Sequence, residues 1–237
     1  MTGIRQRAVV LTAIAIMAVS VVPGARASEE AVDRKTQTAL ELDAHPDRGA
    51  PAFGRHCVRC HGSEAQGDAG HAIPALAGQR FAYLVRQLAN FAGAERDSDT
   101  MHGIVSRQGL REPQTWVDIA AYLNRLPTPY HAQNGDGLKL ALGRGIFREQ
   151  CASCHRADAR GDDDGFVPSL RNQQYSYLVS QLHKLGKGYR HNVDEDLVRF
   201  LGSFDDQDIG ATADYLSRLR GRGAVRRIMR NNGVVVD

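Results

Sequence analysis

The chain has 237 residues, of which 42% are hydrophobic and 24% charged, with 30 lysines and arginines against 27 aspartates and glutamates. That composition suits one or two globular domains and excludes a fibrous or intrinsically disordered chain. A net charge of only +3, gone once the first 27 residues are set aside, also removes the electrostatic basis for a nucleic-acid-binding protein.

Residues 1–27 read as a signal peptide. Arg5 and Arg7 precede an apolar run from Ala8 to Val22, and Ala25-Arg26-Ala27 supplies the small-x-small pattern of a cleavage site. The run falls short of the roughly 20 residues a spanning helix needs, so an uncleaved anchor is the lesser alternative. Cleavage removes Arg5, Arg7 and Arg26 and no acidic residue, leaving 27 bases against 27 acids. Residues 28–45 form an N-terminal extension.

From residue 46 the chain repeats itself. Cys57 and Cys151 lie 94 residues apart, and the same offset relates Gly49 to Gly143, Phe53 to Phe147, Pro74 to Pro168, Gln79 to Gln173, Tyr83 to Tyr177, Gln87 to Gln181 and Arg96 to Arg190. The first copy spans 46–127, a turn-rich linker 128–137, the second copy 138–220 and a basic tail 221–237. In each copy a helix runs into a cysteine motif, over residues 51–56 and 138–150. Gln79, Tyr83 and Gln87 recur at four-residue steps and are placed on one face of a second helix, with Phe81, Leu84, Val85 and Leu88 as its apolar contacts. A last helix is expected over 113–126, where Pro113 opens it and Pro127 follows it, and over 205–219. No stretch alternates as a strand does. The expected fold is therefore all-α, two tandem helical domains.

The cysteine motifs carry the chemistry. Cys57-Val58-Arg59-Cys60-His61 and Cys151-Ala152-Ser153-Cys154-His155 are both C-x-x-C-H segments, and they use all four cysteines. In that spacing two thiols can form thioethers with haem vinyl groups while the next histidine turns onto the iron. Two covalently attached haem c groups are expected. A shared zinc centre would need one tetrahedral site fed by two separate repeats, and disulfides would leave the repeated histidine without a reason. A covalently held porphyrin also supplies the core that about 90 residues with few aromatics lack.

The two sites differ in their sixth position. Met101, in the loop before the helix at Pro113, is the candidate in the first copy, with His102 as its rival. The repeat offset carries Met101 to Glu195, or to Asp194 if one residue is skipped, and neither is an ordinary haem-iron ligand. His191 in the same loop is the leading candidate for the second iron, followed by an open position, then His183 and Met229. Pro74 and Pro168 could each offer a carbonyl to the proximal imidazole. Arg96 and Arg190 could meet haem propionates or lie at the surface, and Tyr83 and Tyr177 are placed near the porphyrin edge. His45, His56, His71 and His131 lack counterparts and read as structural or solvated; Trp116 reads as packing. Asp162 to Asp164 and the arginines from Arg218 to Arg230 are charge clusters that could steer partners or simply face solvent.

Two C-x-x-C-H domains, each followed by Pro-x-Leu-x-x-Gln (Pro74 to Gln79, Pro168 to Gln173), Tyr-Leu-Val-x-Gln-Leu (Tyr83 to Leu88, Tyr177 to Leu182) and a helix with Ala-Tyr-Leu or Asp-Tyr-Leu, resemble the cytochrome c4 family. The resemblance covers about residues 46 to 220. It implies two class I cytochrome c folds packed face to face, with His61, Met101 and His155 as iron ligands. It also implies a periplasmic carrier, with peripheral membrane association an added option. The donor would be a quinol-oxidising complex or a dehydrogenase, and the acceptor a terminal oxidase or reductase. Where that family would place a methionine in the second domain, this chain has none. The expected function is electron transfer without catalytic turnover. The alternative is an enzyme or enzyme subunit whose second haem binds a small sulfur or nitrogen oxyanion, held by Arg171, Lys184, Lys187 and Arg190; a gas or redox sensor is weaker, with no signalling domain attached.

Overall fold

The computed structural model describes residues 23–107, 109–128, 133–190 and 193–220, and among them every regular element is helical. In chain order these are α1 (Pro23–Leu40), α2 (Pro46–His56), α3 (Val58–His61), α4 (Phe81–Ala92), α5 (Asp99–Val105) and α6 (Pro113–Arg125). The second half repeats them as α7 (Leu140–Ile146), a π-helical turn (Phe147–Cys151), α8 (Ala152–His155), α9 (Tyr175–Gly186), α10 (Glu195–Gly202) and α11 (Asp206–Ser217). The signal-peptide region up to Val22, His131, His191 and the tail with Met229 lie outside the described residues.

Local chemistry sets the ends. Pro46 and Pro113 occupy first turns, where the missing N–H costs nothing. Ser98, Asp194 and Asp205 cap α5, α10 and α11 by accepting backbone N–H groups of Met101, Asp196 and Asp208. One expectation is corrected: α4 begins at Phe81, so Gln79 lies in the loop before it and does not share the helical face of Tyr83 and Gln87. The helix before the second motif also gives way to the π turn at Phe147 instead of running unbroken.

Within each domain the helix before the motif crosses the last helix at very short range. A Cβ on Gly49 would lie 1.9 Å from the Asp118 carbonyl oxygen, and one on Gly143 would lie 1.9 Å from that of Ala211, so only glycine permits either crossing. Beside each crossing an aromatic pair closes the core, Phe53 on Tyr122 and Phe147 on Tyr215, both with ring centres 5.7 Å apart. The first core gathers Phe53, Leu84, Val85, Val117, Ile119 and Leu123; the second gathers Phe147, Leu178, Ala213 and Leu216.

The extension is a helix that only the first domain carries among the described residues. Val32, Thr36 and Ala39 are buried at helical spacing where α1 lies on α4 and α6. Asp33 pairs with Arg86 at 2.8 Å, and Lys35 Nζ sits 4.8 Å above the Trp116 ring. Trp116 is fully buried, as expected for a packing residue.

The two domains meet across a pseudo-two-fold interface whose bonds come in reciprocal pairs. Arg80 Nε donates to the Arg160 carbonyl, while its counterpart Gln174 donates from Nε2 to the Gln66 carbonyl. Ala82 N donates to Asp163 Oδ1, while Ser176 Oγ donates to the Ala69 carbonyl. Arg96 and Arg190 pair as an isolated antiparallel bridge on the symmetry axis. Asp163 also binds Arg80 and Asp162 binds Arg156, so two of the three clustered aspartates are engaged within the molecule.

Candidate haem sites

Each C-x-x-C-H motif wraps one tight helical turn. Cys57 caps α3 and Cys151 precedes α8, so the two thiols of a pair and the following imidazole fall at positions i, i+3 and i+4 of the same turn. All four cysteines are free thiols. Burial, reinforced by the neighbouring Cys60, pushes the Cys57 thiol up to about 11; burial and Cys154 do the same at Cys151. These two thiols are therefore protonated at neutral pH.

The histidines are prepared alike. His61 Nδ1 donates to the Pro74 carbonyl at 3.1 Å and His155 Nδ1 to the Pro168 carbonyl at 3.0 Å. Burial lowers the pKa of both rings, against a smaller upward pull from those carbonyls, so each imidazole is neutral. With Nδ1 committed as donor, Nε2 keeps its lone pair for a metal. Val58, Leu76, Phe81 and Tyr122 pack against the first core beside this motif, and Leu170, Tyr175, Val179 and Tyr215 against the second. Two thiols, one oriented neutral imidazole and an apolar wall fit a covalently held haem in both copies.

The remaining expected residues are placed as follows. Met101 sits in α5, half-buried against the cluster of Val32, Ala89, Phe91, Val105 and Trp116. Its rival His102 is exposed and pinned, with Nδ1 donating to the Phe91 carbonyl at 2.8 Å. His183, in α9 and half-buried, faces Asp206 at 3.7 Å. Asp194 and Glu195, where the offset carries Met101, form the exposed start of α10. His71 pairs with Asp68 in an exposed loop, and His45 lends its backbone N–H to Asp118.

Arg96 and Arg190 are interface residues, and the surface reading of them is corrected. Arg96 is 8% exposed and donates to Gln87 of its own domain at 2.7 Å and to Tyr177 and Gln181 of the other at 2.9 and 3.1 Å. Arg190 reaches Gln87 across the axis. Burial would raise the Tyr83 phenol, but the Arg96 and Arg190 guanidiniums outweigh it and hold it below its usual range. Burial and the neighbouring Arg96 charge lower the Arg190 guanidinium. Tyr83 and Tyr177 thus share Arg96 as a partner at the domain interface. The oxyanion set is not assembled: Arg171 is bound to Asp158 and Arg190 is turned into the interface. Sequence reasoning put Gln79 on a helical face, took Gln173 as its repeat counterpart and missed the contacts of both; their identical placement after Pro-x-Leu was the available signal.

The cytochrome c family model matches residues 46–127 and again 140–220. The chain belongs to the cytochrome c family. Within it, this cytochrome is 30% identical over 196 residues to the thiosulfate dehydrogenase electron acceptor of Stutzerimonas stutzeri, covering 78% of this chain and 88% of that protein. It is 27% identical over 195 residues to cytochrome c4 of Azotobacter vinelandii, covering 75% and 89%. Its fold matches the crystal structure of reduced cytochrome c4 from Pseudomonas stutzeri with a TM-score of 0.66 at 24% identity, over 75% of this chain and all of that one. It is a dihaem, cytochrome c4-like protein of two tandem all-α domains, with two covalently bound haem c groups, and it transfers electrons. The all-α expectation and the resemblance to cytochrome c4 are both borne out.

Proposed function

We propose that this cytochrome is an exported, periplasmic electron shuttle without catalytic turnover of its own. Cys57, Cys60, Cys151 and Cys154 would anchor the two haems, His61 and His155 would be the proximal ligands, and Met101 the distal ligand of the first. The observation that carries this reading is the duplicated donor set, in which both motif imidazoles are neutral and held by an equivalent proline carbonyl. Each bound haem supplies a one-electron ferric/ferrous couple. The protein's own part is to orient the imidazoles, exclude water with the two apolar cores and hold the domains face to face through the Arg80, Arg96 and Gln174 contacts. Arg96 and Arg190 bring positive charge to the interface and suit the propionate side of both haems.

The donor we propose is a dehydrogenase or a quinol-oxidising complex, and the acceptor a terminal oxidase or reductase. Likeness to a protein named as the electron acceptor of a thiosulfate dehydrogenase favours an inorganic-sulfur dehydrogenase among the donors. The basic run before the apolar segment and the Ala25-Arg26-Ala27 pattern support export. Among the described residues no helix is long and apolar enough to cross a membrane.

One observation favours a second reading, an enzyme or enzyme subunit with an open second iron. The place of Met101 in the second domain is taken by Asp194 and Glu195, which start α10 and face solvent. His191 as sixth ligand is our first choice. Absorption spectra of the ferrous protein with and without carbon monoxide test it: a second haem that ignores the gas supports the shuttle, and one that binds it at once supports the enzyme. His191→Ala should convert the first outcome into the second; an unchanged spectrum would remove His191 as a ligand.

A further inference from the structure

The peptide unit joining Pro74 to Ala75 is engaged at both ends. Its carbonyl accepts from His61 Nδ1 at 3.1 Å, and its N–H donates to Oε1 of Gln173 in the other domain at 3.0 Å. Gln173 completes the contact by donating from Nε2 to the Ala75 carbonyl at 3.0 Å. The unit joining Pro168 to Ser169 is bonded in the mirrored way. It accepts from His155 Nδ1 at 3.0 Å and donates to Gln79 Oε1 at 2.7 Å, while Gln79 Nε2 donates to the Ser169 carbonyl at 2.9 Å. Both glutamines are buried, at 9% and 6% exposure. Their amide orientations are fixed, because each Oε1 also accepts the next residue's backbone N–H, Arg80 at 2.8 Å and Gln174 at 3.1 Å.

A peptide group polarises as a whole. A bond accepted from its N–H makes its carbonyl a stronger acceptor, by roughly 10–30% per bond in condensed-phase estimates. A stronger acceptor at Nδ1–H makes the imidazole a more electron-rich donor at Nε2, as partners of metal-bound histidines generally do. We propose that Gln173 tunes the iron held by His61 and Gln79 the iron held by His155, each acting on the opposite domain through a single peptide unit. They are positioning residues, and the domain interface is thereby part of each redox site. This rests on His61 and His155 being the proximal ligands. The sign follows from the chemistry: an electron-rich imidazole favours the ferric iron, so each glutamine lowers the reduction potential across the interface.

The test uses the full-length holoprotein. Midpoint potentials of the two haems are measured by spectroelectrochemistry, and ring resonances of the two proximal imidazoles by NMR of the ferric form. Gln173→Leu should raise the potential of the first haem and move the His61 ring signals, leaving the second haem in place; Gln79→Leu should do the converse. Gln173→Glu keeps an oxygen on the Ala75 N–H and adds negative charge, so it should shift the first haem in the opposite direction. A purely adhesive role predicts shifts of one sign for Leu and Glu alike. Shifts of equal sign, shifts confined to the variant's own domain, or no shift would overturn the proposal. A wild-type protein whose His61 ring shows no hyperfine shift would instead overturn the ligand assignment beneath it.

Discussion

Met101 and Asp118 show how single side chains are committed. Met101 is held in α5 by the Ser98 cap and the apolar cluster around Trp116. A thioether opposite histidine raises the potential of a haem, so with Met101 as the distal ligand we propose, Met101→His should lower the potential of the first haem and leave the second unchanged, as read by potentiometry. Asp118 is buried and takes hydrogen bonds from Arg48 at 2.8 Å, His45 N at 2.9 Å and Gln114 at 2.9 Å. Burial would raise its pKa, but these donors hold it below the ordinary carboxylate value. Its stabilisation is therefore complete above the unfolded value of about 3.9 and is lost as pH falls through the lower folded value. Asp118→Asn should cost the first domain about 1–3 kcal/mol at neutral pH and make its melting less sensitive to acid, measured by calorimetry between neutral and strongly acidic pH. The thiols and histidines of the motifs were legible from spacing alone, because covalent haem attachment needs its groups within one helical turn. The distant partners of Asp118, Arg48 and His45, 70 and 73 residues away in the chain, were not.

At the scale of helices, the two glycines of α7 are of different kinds. Gly143 lies against the Ala211 backbone, whereas a Cβ on Gly145, two residues on, would meet nothing within 4 Å. Gly143→Ala should therefore push α7 off α11 and destabilise the second domain by about 1–3 kcal/mol, while Gly145→Ala should stabilise it by up to about 1 kcal/mol through helix propensity. Urea denaturation of the two variants should move the midpoint in opposite directions; equal shifts would contradict the close crossing. Sequence offset paired Gly49 with Gly143 without saying why, since a helix–helix crossing distance is invisible in one dimension. The last helices were read nearly to the residue from Pro113 and Asp205, because caps and prolines act locally. The start of α4 was misplaced, since Gln79 keeps the four-residue rhythm of Tyr83 and Gln87 yet is drawn out to bond Ser169.

Over the whole molecule, two halves of one design are made unequal by what the first adds. The first carries α1, which buries Val32 against Ala89, Phe91 and Trp116. Val32→Ala should cost about 1–3 kcal/mol by opening that contact, and differential scanning calorimetry should show the lower-melting shift in the first domain only; movement of both domains together would show that they unfold as one unit. Two attachment sites, their duplication, the all-helical class and the missing methionine of the second copy were all determined by the chain itself, because haem chemistry demands fixed residue types at fixed short spacings and a repeat is a property of order alone. Tertiary structure alone decided that Arg96 is buried at the interface with Arg190 beside it, that Asp163 binds Arg80, and that Gln79 and Gln173 clamp each other's proximal loops. Those contacts join residues 80 to 100 positions apart, and they exist only once two folded surfaces of the same design are turned to face one another.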